Sequence, residues 1–214
     1  MKRKVSVSFL SSKNKEEDLI KLGATDTDYI HVDVMDGKFV KNKNLPFKLL
    51  DRLSYTLQKR LDVHLMVNKP NKFIEEYATL NSEYITIHVE LPKEVIDSSI
   101  ELIKSYGIKC GLAIKPNTDI NLLKDYLDRI DLILVMSVEP GSGGQEFISE
   151  TPDRIAKIKE LIGKKKIAIN VDGGINDKTV KCLDKANIVV SGSYVVNSDS
   201  FMDAIKSLRA QIQR

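Results

Sequence analysis

The stretch DYIHVDVMDGKFV, residues 28–40, decides how the rest of the chain is read. Tyr29, Ile30, Val32 and Val34 are aromatic or β-branched types that suit a covered, pleated surface, so they predict a buried strand. Into it are set His31, Asp33 and Asp36, groups that are costly to bury without partners. His31 and Asp33 lie two apart and therefore share one face of the strand. Gly37 marks where the chain must turn. An imidazole and a carboxylate on one face at a strand's C-terminal end make half of a metal site. A lone H-x-D is more often a hydrogen-bonded His–Asp pair, so the rest of the chain has to decide.

Outward from this strand, short β-branched runs alternate with longer amphipathic ones. Strands are predicted at Lys4–Phe9, Tyr29–Met35, Leu61–Val67, Tyr84–His88, Ile108–Ile114, Leu132–Val138, Ile167–Val171 and Ile188–Ser191. Helical patterns fall near 14–22, 46–57, 71–80, 93–106, 119–129, 149–162, 177–185 and 199–212. Pro70-Asn71, Pro92, Asn176-Asp177 and Ser198-Asp199 are sound helix starts, and Gly107 and Gly163 fall where C-terminal glycines are expected. About eight β-α units in this length predict a single (β/α)8 TIM barrel over residues 1–214. A doubly wound open sheet is the runner-up, and the absence of a Rossmann glycine fingerprint speaks against it.

Composition narrows the function classes. With 42% hydrophobic and 29% charged residues, the chain reads as a soluble globular protein. Its formal net charge of +3 gives no reason to expect a nucleic-acid partner. Lys164–Lys166 is the longest basic run and fits a solvated helix end. The N-terminus MKRKVSVSFLSS does not make a signal peptide, and no run reaches membrane-spanning length. Cys110 and Cys182 lack C-x-x-C spacing and read as free thiols of a reducing compartment. The expected location is therefore cytoplasmic, and a homo-oligomer is compatible with the sequence.

The unusual polar residues cluster at the predicted strand ends, where a barrel places its active site. The first predicted strand ends near Ser8, the second carries His31 and Asp33, the third His64, and the fourth ends at His88 and Glu90. The sixth runs into Glu139-Pro140-Gly141-Ser142-Gly143-Gly144-Gln145, the seventh into Asp172-Gly173-Gly174, and the eighth into Ser191-Gly192-Ser193. All three histidines of the chain sit in such positions. A barrel lets His31, Asp33, His64 and Asp172 converge as two imidazoles and two carboxylates. That set suits Zn²⁺, Fe²⁺, Mn²⁺ or Co²⁺ better than Ca²⁺ or Mg²⁺, without choosing among them. The glycine pairs after the last three strands fit a phosphate cradle of backbone N–H groups, although any one pair can simply make a tight turn. Met35, Met66 and Met136 lie beside the same mouth and can be a soft lining or ordinary core filling.

The chain resembles the ribulose-phosphate 3-epimerase family over almost its whole length. The motifs are HVDVMDGKFV (31–40), DVHLMV (62–67), ITIHVE (85–90), GLAIKP (111–116), MSVEPGSGGQEF (136–147), NVDGGI (170–175) and VSGS (190–193), in matching order and spacing. The resemblance implies one divalent metal held by His31, Asp33, His64 and Asp172. It implies Asp33 and Asp172 as acid and base in a two-base proton transfer at C3 of D-ribulose 5-phosphate, giving D-xylulose 5-phosphate through a metal-stabilised enediolate. Ser8 and His64 would touch this small sugar phosphate. Gly143, Gly144, Gly173, Gly174, Gly192 and Ser193 would hold its phosphate, with Gly141 and Ser142 on the same loop, and the three methionines would lie near the reacting carbons.

Three departures stand out. Val7 replaces the usual Pro before Ser8, Lys41 replaces Pro in F-V-P-N, and Ser142 replaces Phe in G-F-G-G. The first two soften loop rigidity, and the third removes an aromatic from a loop that would cover the site. A related ketose phosphate such as D-allulose 6-phosphate is the alternative substrate. A non-catalytic sugar-phosphate-binding barrel is the alternative of a different class. Decarboxylases and aldolases on similar barrels rank low, because Asp62-Val63-His64 stands where their catalytic lysine would be sought.

Overall fold

The computed structural model of the chain describes residues 3–210. The β-branched runs become β1 (Lys4–Ser8), β2 (Tyr29–Asp36), β4 (Arg60–Met66), β5 (Ser82–His88), β6 (Lys109–Ile114), β7 (Leu132–Met136), β8 (Ala168–Asp172) and β9 (Ile188–Ser191). All eight are parallel, in the order β1-β9-β8-β7-β6-β5-β4-β2, and the pairing of β1 with β2 closes the ring. A further pair of residues, β3 (Lys43–Asn44), runs antiparallel to the end of β2. Among the described residues, seven α-helices lie between or after the strands: α1 (Lys15–Gly23), α2 (Phe47–Leu53), α3 (Asn71–Ala78), α4 (Lys93–Ser105), α5 (Thr151–Ile162), α6 (Ser193–Val196) and α7 (Phe201–Ala210). This is the expected (β/α)8 barrel. Residues 211–212 of the last predicted helix lie outside the described residues.

Both faces of the strands are covered, so β2 is buried along almost its whole length. Its alternation still has meaning. Ile30, Val32 and Val34 join the large cluster between barrel and helices, with Leu19 and Leu22 of α1 and Ile96, Ile100 and Ile103 of α4. Tyr29, His31, Asp33 and Met35 take the other face, which points into the barrel. Along the barrel axis that interior changes character. Near the strand starts it is apolar, with Tyr29 and Tyr84 edge to face at 5.9 Å. Near the strand ends it is ionisable.

The helix predicted near 46–57 ends at Leu53, and two others form 3-10 rather than α-helices. Residues 119–129 contain a 3-10 helix, Ile120–Tyr126, whose buried Leu123 and Tyr126 are three apart and so eclipse at three residues per turn. Residues 177–185 contain only the 3-10 turn Thr179–Cys182. There the buried Arg3 guanidinium donates to the carbonyls of Val180, Leu183 and Ala186, taking acceptors that a continuing helix would need. Cys110 is buried and Cys182 exposed, and their thiols are not joined. Among the described residues, no helix is long and apolar enough to cross a membrane.

Candidate active site and metal centre

Strand register builds the site. Parallel pairing sets Asp33 of β2 beside His64 of β4, and Met35 beside Met66. Across the barrel, β7 and β8 align Met136 with Asp172. One ligand atom each from His31, Asp33, His64 and Asp172 therefore falls within 4.8 Å of every other. His31 Nε2 stands 3.4 Å from Asp33 Oδ1 and 3.5 Å from Asp172 Oδ2. His64 Nδ1 stands 3.4 Å and 3.7 Å from the same two oxygens. Both imidazoles are fully buried.

This arrangement fits a divalent metal on grounds internal to the structure. His31 Nε2 is buried and makes no hydrogen bond, an unusual state for a ring nitrogen surrounded by polar groups. Its other nitrogen, Nδ1, is 2.9 Å from Asp62 Oδ2, which also accepts from Ser6 Oγ and Asn170 Nδ2 at 3.0 Å each. A carboxylate behind an imidazole orients the ring and raises its basicity as a ligand. Two imidazoles and two carboxylates are a borderline-ion donor set.

The electrostatics follow from crowding carboxylates around buried rings. Burial alone would strip His31 of charge, but the carboxylates of Asp33, Asp62 and Asp172 outweigh it and push the imidazole well above its ordinary value. Burial likewise opposes ionisation of Asp33, yet the His31 and His64 rings hold its carboxyl well below the usual range. Ser8 Oγ donates to Asp33 Oδ2 at 2.8 Å and completes its coordination by hydrogen bonds. Further out, His88 is pushed down to about 4, chiefly by burial. Its partner Glu90 is lowered to about 2: burial opposes that shift, and hydrogen bonds from His88, Thr118 and the Lys115 N–H overcome it.

Above the floor of His31 and His64 lies a cleft of about 540 Å³, open to solvent. Its lining includes Ser8, Asp33 and Asp172, the methionines Met35, Met66 and Met136, the loop Gly141–Gly144, and Gly173, Gly174, Gly192 and Ser193. Every residue singled out in the sequence as a ligand, base, lining or cradle residue thus comes to one mouth or its floor. At Gly174 the cradle needs glycine twice over, because φ is +65° and a Cβ would lie 2.7 Å from the Phe147 nitrogen. Ser137, which the sequence reading passed over, donates from Oγ to the carbonyls of Asp172 (2.9 Å) and Gly173 (2.6 Å) and pins that loop. Asp62 was also missed as a site residue; its signal was its place two before His64, on the same strand face.

Asp36, the third polar group of the opening stretch, is not part of the cluster. Its Oδ1 accepts from the N–H groups of Lys38 and Phe39, and its Oδ2 from that of Asn68, so it shapes the loop after β2. The departures lie at the periphery. Val7 is buried and paired with Ile30 and Ser191 in the barrel ladder. Lys41 and Ser142 are exposed on two loops that Asn42 ties together, its Nδ2 donating to Gly141 O at 2.8 Å.

Comparison with known proteins agrees with this geometry. The family model described as "Ribulose-phosphate 3 epimerase family" matches residues 4–196. The ribulose-phosphate 3-epimerase of Helicobacter pylori (strain J99) is 40% identical over 189 residues, covering 86% of this chain and 87% of that one. That of Bacillus subtilis (strain 168) is 34% identical over 210 residues, covering 96% and 95%. Among solved structures, KGPDC from Streptococcus mutans has a TM-score of 0.76 over 100% of this chain and 99% of that one. The 3-hexulose-6-phosphate synthase of Salmonella typhimurium has a TM-score of 0.72 over 98% of each chain. At 12% and 16% identity these two are likenesses of fold. The family match and the close relatives go further, and the chain belongs to the ribulose-phosphate 3-epimerase family.

Proposed function

We propose that the chain is a metal-dependent 3-epimerase that interconverts D-ribulose 5-phosphate and D-xylulose 5-phosphate by exchanging the proton at C3. The observation that carries this reading is the convergence of His31, Asp33, His64 and Asp172 on the floor of a cleft whose far wall is glycine-rich loop. A divalent cation held by these four residues would supply Lewis acidity, lowering the energy of the enediolate left when a proton leaves C3.

The residues do the rest. Asp33, held ionised by the rings beside it, takes the C3 proton from one face of the sugar. Asp172 gives a proton to the other face, and in the reverse direction the roles exchange. The two come from β2 and β8, which are separated by β1 and β9 on one side and by four strands on the other. Ser8 fixes the Asp33 carboxylate through its hydrogen bond. Met35, Met66 and Met136 give the reacting carbons an apolar lining that limits water. Backbone N–H groups around Gly173–Gly174 and Gly192–Ser193, with Gly143–Gly144 opposite, hold the phosphate and so keep C3 in register. We take residues 1–214 as a single domain working in the cytoplasm, a location supported by its two unjoined thiols.

Three outcomes are expected. Protein purified without chelator carries a transition metal and epimerises ribulose 5-phosphate in a coupled assay. Chelation abolishes this, and Zn²⁺, Fe²⁺, Mn²⁺ or Co²⁺ restores it better than Mg²⁺. Full activity in protein shown to be metal-free sinks the metal reading. The second outcome concerns pH. Below its raised pKa, His31 keeps a proton on the nitrogen a metal needs, so Co²⁺ affinity rises with pH, by up to about tenfold per unit, until that pKa is passed. Co²⁺ titrations followed by visible absorbance between about pH 6 and pH 8 check this, and a flat profile contradicts it. Third, Ser193→Asp raises KM for the phosphorylated sugar by at least about tenfold through like-charge repulsion, while Co²⁺ binds as before. An unchanged KM puts the phosphate elsewhere.

A further inference from the structure

His88 and Glu90 stand at the end of β5, outside the four-residue cluster, yet they are joined to it by a continuous chain of short contacts. His64 Nε2 is 2.8 Å from His88 Nε2. His88 Nδ1 is 2.8 Å from Glu90 Oε2. The other carboxylate oxygen, Glu90 Oε1, accepts from the Lys115 backbone N–H at 2.8 Å and from Thr118 Oγ at 2.6 Å. His88 is fully buried, and its ring packs against Phe39 with centroids 4.6 Å apart.

The donors fix the direction of this chain. A backbone N–H can only donate, so Glu90 Oε1 faces it as an acceptor, and the ionised carboxylate has no proton for its other oxygen. His88 Nδ1 must then be the donor to Oε2. A neutral imidazole carries one N–H, so His88 Nε2 is an acceptor and His64 Nε2 is the donor to it. His64 Nε2 is thereby held as a protonated, donating nitrogen, and its Nδ1, 3.4 Å from Asp33 Oδ1 and 3.7 Å from Asp172 Oδ2, is the atom turned toward both carboxylates, where a cation would take its lone pair.

We infer that Glu90 and His88 are positioning residues that act through His64, a two-step relay that selects its Nε2–H tautomer and so presents the Nδ1 lone pair to the metal. The inference deepens the metal reading of the site and rests on it. His31 is served by one carboxylate directly, Asp62, whereas His64 is served by a carboxylate one imidazole further away.

Isosteric variants separate direction from mere packing. In Glu90→Gln the amide oxygen must still face the Lys115 N–H, so the amide NH₂ is turned toward His88. Each hydrogen bond then reverses, and His64 Nε2 becomes the acceptor. His88→Gln keeps the direction, because its amide oxygen accepts from His64 and its NH₂ donates to Glu90. His88→Leu removes both bonds. Two readouts are used: imidazole ¹⁵N NMR of the metal-free protein, which reports which ring nitrogen holds the proton, and Co²⁺ titration. In the wild type, His64 Nε2 holds a proton, and in Glu90→Gln Nε2 has lost it to become the acceptor from His88, leaving only Nδ1 protonated. Co²⁺ binding weakens by about 10- to 100-fold in Glu90→Gln and in His88→Leu, while His88→Gln stays within about threefold of wild type.

If Glu90→Gln changes neither the His64 tautomer nor Co²⁺ affinity, the relay is overturned. Equal losses in His88→Gln and His88→Leu overturn it as well, since direction would then not matter. A wild type that binds no Co²⁺ contradicts the metal reading instead, and the ¹⁵N result judges the relay without it.

Discussion

Four ionisable side chains within 4.8 Å of one another, three of them buried, are the constraint around which this barrel is organised. With Asp62 behind them, three carboxylates surround a single buried imidazole. Such a group of charges is unfavourable to bury unless positive charge and hydrogen bonds compensate it. In the metal-free protein the compensation is the proton on His31, and in the proposed enzyme it is the cation that displaces that proton. Ser8, Ser6 and Asn170 supply donors to the carboxylates, and the register of β2 against β4 keeps Asp33 and His64 side by side.

The barrel makes this tolerable by dividing labour along and across each strand. Facing outward, Ile30, Val32, Val34 and their counterparts pack against the helices and supply stability. Facing inward, the apolar layer near the strand starts leaves the strand ends free to carry polar groups. Loops with glycine then complete the cleft above. A side chain at Gly174 would strike the Phe147 backbone, and Ser137 holds the adjoining carbonyls, so this part of the mouth is firmly set. The loops bearing Lys41 and Ser142 are tied to each other through Asn42 rather than covered by an aromatic side chain at position 142.

Much of this was legible in the residues. The alternation of β-branched and amphipathic runs is a local signal, and it predicts all eight barrel strands. Placing His31, Asp33, His64 and Asp172 together needed only the rule that barrel sites gather at strand C-termini. What was not legible depends on contacts between distant segments. Arg3 cuts short the predicted helix near 177–185 by capturing its carbonyls from nearly 180 residues away in sequence. The roles of Asp62 and of the His88–Glu90 pair are set by hydrogen-bond partners on neighbouring strands and loops. Asp36, read in the sequence only as a polar group costly to bury unpaired, has its partners in three backbone N–H groups of nearby loops, which the sequence did not show. Periodicity gives a residue's face, whereas its partner depends on register.

The central claim is that two aspartates working on different faces exchange the C3 proton with solvent during epimerisation. Running the reaction on D-ribulose 5-phosphate in D₂O and reading the product by NMR or mass spectrometry tests it most directly. The account predicts one solvent deuterium at C3 of the xylulose 5-phosphate formed, because the aspartate that delivers the proton equilibrates with water between turnovers. Complete retention of the original C3 hydrogen in product, over many turnovers, would contradict it and point to a single shielded base.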